Sequence, residues 1–280
     1  MSSLNTPIVS AAALAADPEL LARVQFVDAR HGPKADANYA LGHIRGAVRA
    51  HLERDLSAAQ IDPKHGGRHP LPAFDRWCAR LGRWGIGPDT PVVVYDARSG
   101  AHAAARAWWM IRAVGHDKVA VLDGGYEAAV QARLPIDATP TSPKQRGPYP
   151  AAWWTLPLAE IGDVEGHGGL LIDVRTADRY TGVTEPFDPV PGHIPGAIND
   201  PLTCNLGPDG RFLSASALRD RLQGVLGGHT PAQTILSCGS GVTACHTLLA
   251  LEAAGLPGAA LYVGSWSEWC RTGRPNGVDA

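Results

Sequence analysis

The chain contains an internal repeat, and no other feature of its sequence restricts the possible folds as strongly. Asp28 in the run VDAR matches Asp173 in the run IDVR, and GHIRGAV in the first half matches GHIPGAI in the second. Further along, Asp96 in VVVYDARSG stands where Cys238 stands in TILSCGSG. Landmarks that recur in the same order with a period of roughly 140 residues predict a duplicated domain and not a solenoid of short repeats.

Each half alternates short apolar runs with helical patterns. The runs 92–94 and 119–121 are rich in valine and predict buried strands. Residues 101–114 and 242–254 predict helices. Strands that alternate with helices indicate an α/β fold, so we expect two tandem domains, each a mainly parallel sheet flanked by helices.

The stretch between the two copies predicts a linker. Residues 138–152, ATPTSPKQRGPYPAA, are rich in Pro, Ser, Thr and Gly and show no periodicity. We therefore place the first domain at residues 1–137 and the second at residues 153–280.

The charge balance excludes several classes of partner. The chain carries 25 Lys and Arg against 27 Asp and Glu, a formal net charge of −2. Because no basic run accompanies this balance, neither nucleic acid nor a membrane surface is expected as a partner. No stretch approaches the roughly 20 apolar residues that cross a bilayer. The N-terminal residues lack the basic and apolar regions of an export signal, so we expect a cytoplasmic protein.

The cysteines predict free thiols. Their number is odd, their spacing is wide, and they form neither a CxxC pair nor a Cys/His cluster typical of zinc sites. This pattern fits a reducing compartment better than a disulfide framework, and it predicts no bound metal. The cysteines are Cys78, Cys204, Cys238, Cys245 and Cys270.

Cys238 lies where a predicted strand, residues 233–237, turns into a predicted helix. The glycines at 239 and 241 permit a tight turn in which several backbone N–H groups point at one centre. The N-terminus of the helix adds positive potential, so the turn favours a thiolate or an anionic persulfide. An isolated cysteine is more often a small core residue, but the Cys-Gly-Ser-Gly context favours a nucleophile. Ser240 supplies a hydroxyl that can bond the substrate or pass a proton.

The run CGSGVTA, residues 238–244, resembles the active-site loop of the rhodanese superfamily, specifically its 3-mercaptopyruvate sulfurtransferase branch. IDVR and the two GHI runs are similar to its other signatures. The resemblance implies two tandem rhodanese-like domains, of which the first has no nucleophile because Asp96 replaces the cysteine. It also implies a sulfurtransferase that moves a sulfane sulfur from a small donor to a thiol, cyanide or thioredoxin-like acceptor. Ping-pong catalysis through a Cys238 persulfide would need no cofactor.

The same resemblance implies which residues bind the donor. Thiosulfate-using members usually carry cationic residues directly after the cysteine, which suit a compact dianion. The neutral residues at 239 and 240 therefore favour 3-mercaptopyruvate. The substrate-binding residues implied within the loop are Gly239, Gly241, Val242 and Thr243.

Arg179 matches a family arginine that grips the substrate carboxylate with its planar fork. A surface ion pair with Asp178 or Glu185 is the alternative interpretation. Animal-type members carry a second arginine shortly before the GHIPG run, but here that stretch, Val183–Pro191, contains neither Arg nor Lys. Thiosulfate therefore remains open as the donor.

The family also places an acid and a histidine at the mouth of the site. His69, in the run GRHPLP, matches the histidine, and the acid position falls on Glu53 or Asp55. A carboxylate–His–Ser relay through Ser240 would assist proton transfer near Cys238. The alternative interpretation, which the sequence supports equally, is that the acid and the histidine are ordinary loop residues.

Two other functions compete with sulfur transfer. Phosphatases that share this fold end their cysteine loop with an arginine that clamps the phosphate, but no Arg occurs from Gly239 through Leu249. A non-catalytic interaction module is the second alternative, and the intact CGSGVTA run argues against it. His43 and His193 recur in both GHI runs, including the half without the cysteine, so we expect structural hydrogen bonds from them and not metal binding.

Overall fold

The structure is a computed structural model that describes residue 4 and residues 6–278. The chain forms two compact units. The first contains the residues up to 57, residues 72–155 and residues 208–212, and the second contains the rest. Residues 58–71, which lie in the first half of the sequence, thus pack as part of the second unit.

The first unit is a parallel sheet with flanking helices. Its elements are β1 (Ile8–Ser10), α1 (Ala11–Ala15), α2 (Pro18–Leu21), β2 (Gln25–Asp28), α3 (Ala35–Leu41), β3 (His43–Ile44), β4 (Val48–Arg49), α4 (Phe74–Arg83), β5 (Val92–Tyr95), α5 (Ala104–Arg112), β6 (Val119–Asp123), α6 (Gly125–Gln131) and β7 (Ile136–Asp137). Five strands pair in the order β1-β6-β5-β2-β4, all parallel. Strands β3 and β7 form a separate antiparallel pair.

The second unit repeats this design. Its elements are β8 (Leu158–Ala159), α7 (Ile161–Val164), β9 (Leu170–Asp173), α8 (Ala177–Tyr180), β10 (Ile198–Asn199), α9 (Ala215–Leu226), β11 (Thr234–Ser237), α10 (Ala244–Ala253), β12 (Ala260–Tyr262) and α11 (Ser265–Trp269), with two 3₁₀ turns at Leu202–Asn205 and Pro231–Gln233. Five parallel strands pair in the order β10-β9-β11-β12-β8, which corresponds strand for strand to the first sheet. The predicted α/β fold with two parallel sheets is confirmed.

The predicted elements appear with shorter ends. The valine-rich runs lie in β5 and β6, and the two predicted helices are α5 and α10, each of which begins later and ends earlier than predicted. Both helices start late because the turn that follows the preceding strand takes up the first residues of the predicted range. Helix α10 is buried from Ala244 through Leu251, which explains why most of its residues are apolar.

Equivalent polar contacts hold the two scaffolds. Asp28 accepts hydrogen bonds from the Arg30 side chain, and Asp173 accepts the same bonds from Arg175. His43 Nδ1 lies 2.8 Å from the carbonyl oxygen of Tyr39. In the second unit, Nδ1 of the equivalent His193 lies 3.0 Å from the carbonyl oxygen of Tyr180. The expectation that the paired histidines make structural hydrogen bonds is confirmed.

The predicted linker contains neither helix nor strand. It packs on the first unit, where Arg146 N donates to Gly82 O at 2.8 Å and Tyr149 N to Cys78 O at 2.9 Å. The boundaries at residues 137 and 153 remain predictions, because the units are defined by packing and not by the duplication. No helix among the described residues combines the length and apolarity needed to cross a membrane.

Candidate active site

Cys238 follows β11, whose neighbours in the sheet are β9 and β12. The residue therefore lies at the carboxyl edge of the second sheet, the edge at which open α/β sheets bind ligands. It is only 1% exposed. Its backbone N–H donates to Ser265 Oγ at 3.1 Å, and the same hydroxyl lies 3.9 Å from Cys238 Sγ. The thiol is thus held at the bottom of its loop.

The start of α11 orients the peptide groups of the loop. Cys238 O accepts from the N–H of Trp266 at 3.0 Å, and Gly239 O accepts from the N–H of Ser267 at 2.9 Å. In a trans peptide the N–H points opposite to the carbonyl of the same unit. The N–H groups of Gly239 and Ser240 therefore point away from α11, toward the inside of the loop.

Gly241 makes the sharp turn of the loop possible. Its φ is +71°, a left-handed conformation that other residues adopt only under strain. A methyl group at this position would also collide with the carbonyl oxygen of Val263. Both constraints explain why glycine stands three residues after the cysteine.

The loop presents unfilled hydrogen-bond donors. Across the described part of the chain, no residue accepts a hydrogen bond from the backbone N–H of Gly239, Ser240, Val242, Thr243 or Ala244. Thr243 is the N-cap of α10, so these donors coincide with the positive end of a helix of ten residues. Such an array is suited to hold an anion.

The equivalent loop of the first unit is already filled. Asp96, which replaces the cysteine, accepts four backbone hydrogen bonds. The donors are the N–H groups of Arg98, Gly100, His102 and Ala104, at 2.7 to 3.1 Å. In the first unit, the carboxylate of Asp96 therefore accepts the hydrogen bonds of the loop. In the second unit, the equivalent N–H groups are left for an anion that is not part of the chain.

Residues 58–71 bring two further side chains, those of Arg68 and His69, to the cysteine loop. Backbone contacts hold this segment in place. Gly66 N donates to Glu268 Oε1 at 2.7 Å, and Arg68 N donates to Ser267 Oγ at 2.9 Å. Both acceptors lie on α11. The segment is thereby fixed against the helix that also orients the loop of Cys238.

His69 and Ser240 are joined as predicted. His69 Nδ1 lies 2.8 Å from Ser240 Oγ, and the Ser240 side chain is buried. Ser240 stands two residues after Cys238, so the pair connects an imidazole to the immediate surroundings of the thiol. The contact supports the predicted Ser–His part of the relay.

The predicted acid lies in the other unit. Glu53 is 61% exposed in its side chain, and its carboxylate is 3.6 Å from His31 Nδ1. Asp55, the alternative, accepts from the N–H of His51 at 2.8 Å and pairs with Arg80 at 2.8 Å. A role for either acid in a relay with His69 remains a prediction.

Two arginines flank Gly239. A methyl group built on Gly239 would lie 3.2 Å from Arg179 Nη2, 3.3 Å from Arg179 Nη1 and 3.4 Å from Arg68 Nη2. Arg179 Nη2 also donates to both oxygens of Glu185, at 2.8 and 2.9 Å. Both interpretations of Arg179 thus describe the same side chain: it forms an ion pair with Glu185 and faces the cysteine loop.

Sequence reasoning missed Arg68 and its partner Asp188. Asp188 is an acid in the stretch Val183–Pro191, and it forms ion pairs with Arg68 and with Arg271. A signal was available, since an arginine directly precedes His69 in the sequence. The importance of that arginine depends on where residues 58–71 pack, which local sequence patterns do not reveal.

The other thiols differ from Cys238 in their surroundings. Burial raises the pKa of the Cys270 thiol to about 11, and nearby Asp188 adds to the effect. Cys245 is buried on α10 and contacts the carbonyl oxygen of Gly241. No group of three or more His, Cys, Asp or Glu side chains forms a potential metal site within the described ranges.

Comparison with known proteins agrees with this geometry. The model of the rhodanese-like domain matches residues 11–132 and again residues 158–272. The chain is 43% identical over 265 residues to a Pseudomonas aeruginosa protein named "probable 3-mercaptopyruvate sulfurtransferase", covering 92% of both chains. It is 35% identical over 209 residues to the thiosulfate sulfurtransferase of Gallus gallus, covering 73% of this chain and 72% of the relative.

A solved structure extends the likeness to the backbone. The 3-mercaptopyruvate sulfurtransferase from Leishmania major superposes with a TM-score of 0.84 at 30% identity. The match covers 97% of this chain and 76% of the Leishmania chain. Because the family model matches both halves, the chain belongs to the rhodanese-like family, with two copies of the domain.

Proposed function

We propose that this protein is a sulfurtransferase that takes a sulfane sulfur from 3-mercaptopyruvate and passes it on through a persulfide on Cys238. One observation carries the proposal: a buried cysteine lies beneath unfilled backbone N–H groups, with two guanidiniums beside the neighbouring glycine. The N–H groups suit an anionic sulfur species, and the guanidiniums suit an anionic donor.

The proposed first step transfers one sulfur atom. The Cys238 thiolate attacks the thiol sulfur of 3-mercaptopyruvate, and an S–S bond forms as the C–S bond breaks. The carbon keeps the electron pair as the enolate of pyruvate, which takes up one proton. The persulfide loses its own proton, so the enzyme is left with an anionic Cys238–S–S⁻ group, which the loop N–H groups stabilise.

The second step regenerates the thiolate. Cyanide or an acceptor thiolate attacks the outer sulfur, the S–S bond breaks, and Cys238 recovers the electron pair. With cyanide the product is thiocyanate. This two-stage cycle is ping-pong covalent catalysis, in which pyruvate leaves before the acceptor reacts.

Ser240 and His69 are suited to manage the proton. The hydroxyl of Ser240 is hydrogen-bonded to an imidazole, and it lies on the loop that holds the nucleophile. We propose that it delivers a proton to the enolate carbon or its oxygen, with His69 restoring the hydroxyl. An imidazole is suited to this role because one ring nitrogen can accept a proton while the other donates one.

Thiosulfate is the second candidate donor. A relative named for that substrate aligns with 73% of the chain, and two arginines beside the loop offer positive charge to a dianion. The neutral residues at 239 and 240 favour 3-mercaptopyruvate, because no cation of the loop itself faces a compact dianion.

We propose a thiol or thioredoxin-like protein as the physiological acceptor and the cytoplasm as the compartment. All five cysteines are unpaired in the structure, which fits reducing surroundings. A persulfide needs a reduced thiol to accept its sulfur, and such thiols are abundant there.

The test combines two donors with a cysteine replacement. Incubation with 3-mercaptopyruvate should increase the mass of the protein by one sulfur atom and release pyruvate, and cyanide should then yield thiocyanate. Cys238→Ser should fold and do neither, since a hydroxyl cannot carry the sulfur. Cys204→Ser, at an exposed thiol of the same unit, is the matched control and should behave as wild type. Turnover by Cys238→Ser would refute the mechanism, and a preference for thiosulfate would reassign the donor.

A further inference from the structure

The segment formed by residues 58–71 contains no helix or strand, so contacts with other parts of the chain set its position. Its ends are tied to each other: Ala58 N donates to Pro70 O at 2.9 Å, and Gln60 Nε2 donates to the carbonyl oxygen of Gly67. These two bonds close the segment into a loop. They do not attach it to the sheet, and its attachment therefore depends on the residues that it contacts.

The carboxylate of Glu268 on α11 connects this segment to the interior of the second unit. Its Oε1 accepts a hydrogen bond from Gly66 N at 2.7 Å, and its Oε2 accepts one from the hydroxyl of Tyr262 at 2.8 Å. Tyr262 ends β12 and is 1% exposed. Burial and the neighbouring carboxylate raise the pKa of Tyr262, so the phenol keeps its proton and donates it. One oxygen thus holds the segment while the other is anchored inside the unit.

Two glycines allow the segment to approach α11 so closely. The φ of Gly67 is +72°, and a methyl group there would collide with the carbonyl oxygen of Gly264 and with Ser267 Oγ. A methyl group on Gly264 would in turn collide with the carboxyl group of Glu268. The backbone of the segment therefore touches the start of α11 directly, and the carboxylate folds back over the same point.

The strand registers identify the residues of the first unit that are equivalent to this pair. Ala120 in β6 pairs with the residue three before Asp96, and Ala260 in β12 pairs with the residue three before Cys238. The two strands are therefore equivalent with an offset of 260 − 120 = 140. Helices α6 and α11, which follow these strands, begin at residues with the same offset.

The first unit shows that the fold does not require the carboxylate or the phenol. The offset places Leu122 at the position of Tyr262 and Ala128 at the position of Glu268, and both residues of the first unit are buried in its apolar core. Burying a phenol and a carboxylate costs desolvation free energy that an apolar pair avoids. The polar pair therefore points to a role that belongs to the second unit, which contains the nucleophile.

Helix α11 fixes both partners of the contact between His69 and Ser240. His69 lies three residues beyond Gly66, and its Nδ1 is 2.8 Å from Ser240 Oγ. The helix donates a hydrogen bond to the carbonyl oxygen of Gly239, next to Ser240, and it accepts one from Gly66 through Glu268. A shift of the segment on α11 would therefore move the imidazole relative to the serine hydroxyl.

We propose that Glu268 is a positioning residue, whose carboxylate holds residues 58–71 on α11 so that His69 faces Ser240. Glu268 acts through His69 and contacts neither the donor nor the reacting sulfur. The assignment rests on the proposed sulfur transfer, in which His69 restores the hydroxyl of Ser240. A misplacement of about 1 Å costs on the order of 100-fold in rate, which sets the size of the expected effect.

The test measures the first-order rate of pyruvate release at saturating 3-mercaptopyruvate. We expect Glu268→Ala to lower this rate by roughly 10- to 100-fold. We expect Glu268→Gln to recover most of the rate, because the amide oxygen can still accept from Gly66 N while the amide N–H donates to the phenol oxygen. Glu165→Ala is the matched control: it removes a carboxylate that accepts two hydrogen bonds from Arg274 in the same unit, and the rate should stay within about twofold.

A second replacement shows whether the loss passes through His69. In a His69→Asn background, Glu268→Ala should lower the rate by less than about threefold more, since the imidazole that it positions is already absent. A full additional loss would show that Glu268 acts independently of His69 and would overturn the proposal.

Amide hydrogen exchange provides a measurement that needs no activity. Glu268→Ala should accelerate exchange across residues 58–71 and leave exchange in β9 and β11 unchanged. Tyr262→Phe combined with Glu268→Ala imitates the apolar pair of the first unit and leaves no buried hydroxyl unpaired. This double variant should therefore fold, as thermal unfolding will show, and it should display the same faster exchange and the same loss of rate.

The outcomes distinguish this inference from the proposed function. If wild type transfers no sulfur, the proposed function falls, and exchange across residues 58–71 decides alone whether Glu268 holds the segment. If wild type transfers sulfur and both Glu268→Ala and the double variant release pyruvate at the wild-type rate, the inference falls alone. Unchanged exchange across the segment in folded variants would overturn the inference in either case.

Discussion

The carboxylate of Asp96 should be one of the larger single contributors to the stability of the first unit. Its Oδ1 accepts from Arg98 N at 2.7 Å and Gly100 N at 3.0 Å. Its Oδ2 accepts from His102 N and Ala104 N, both at 3.1 Å. Replacing Asp96 by Asn keeps the shape but turns one acceptor oxygen into an NH₂ group, which faces two backbone donors.

The magnitude follows from those bonds. A hydrogen bond to a charged group contributes about 1.5–3 kcal/mol, so two of them amount to roughly 3–6 kcal/mol. Removing a buried charge returns part of that sum, because its desolvation is no longer required. We expect Asp96→Asn to lower the free energy of unfolding of the first unit by about 3 kcal/mol, equivalent to a fall in Tm on the order of 10 °C.

Tryptophan fluorescence during denaturant unfolding measures the effect. Six of the eight Trp residues belong to the first unit, so its transition dominates the signal. The transition of each unit is fitted separately, because a chain of two units need not unfold in one step. Asp89→Asn is the control, since the Asp89 side chain is exposed and pairs with Lys118 at the surface, and it should leave the transition of the first unit nearly unchanged. A loss below about 1 kcal/mol for Asp96→Asn would refute the view that the loop is an anion site filled by its own carboxylate.

Two further predictions concern the relay and the response to pH. His69 Nδ1 and Ser240 Oγ are hydrogen-bonded at 2.8 Å. The losses in kcat/KM caused by His69→Asn and Ser240→Ala should therefore be less than additive in the double variant, with a coupling of about 1 kcal/mol. Full additivity would contradict a shared proton path. Burial beside Tyr149 lowers the pKa of His116 in the folded unit. As pH falls below about 6.5, the unfolded chain therefore binds a proton at His116 more readily than the folded unit does. The free energy of unfolding declines as a result. His116→Gln should therefore reduce the slope of the free energy of unfolding against pH between about pH 7 and 5. The remaining slope is due in part to His51 and His102, whose pKa is also lowered by burial. An unchanged slope in His116→Gln would contradict the prediction.

The parts of the site that are local in sequence could be predicted from it. Cys238, its glycines and the helix that follows lie within one strand–turn–helix unit, so spacing alone indicated an anion-binding turn. The pairing of the repeated landmarks likewise predicted two domains of one fold, and the structure adds that both sheets have the same strand order. The contact of His69 with Ser240 was available only through family resemblance.

The remainder depends on contacts between distant residues. The sequence boundaries assign residues 58–71 to the first domain, whereas Glu268 and Ser267 bind this segment within the second unit. Without that placement, Arg68 is one arginine among many, and Asp188 is an acid where a cation was expected. No periodicity connects such residues, because the turn that carries Arg68 has no repeating pattern of its own.

The binding of residues 58–71 to α11 has a consequence for how the protein is made. Gly66 leaves the ribosome long before Glu268, its partner 202 residues later. At ~5–20 residues per second, that delay is on the order of 10–40 s, long enough for the N-terminal sheet to form first. During this interval the segment lacks its two acceptors on α11, Glu268 and Ser267. We therefore expect the candidate site to be assembled last, when α11 emerges, because a nascent chain that stops short of α11 lacks the acceptors that fix residues 58–71.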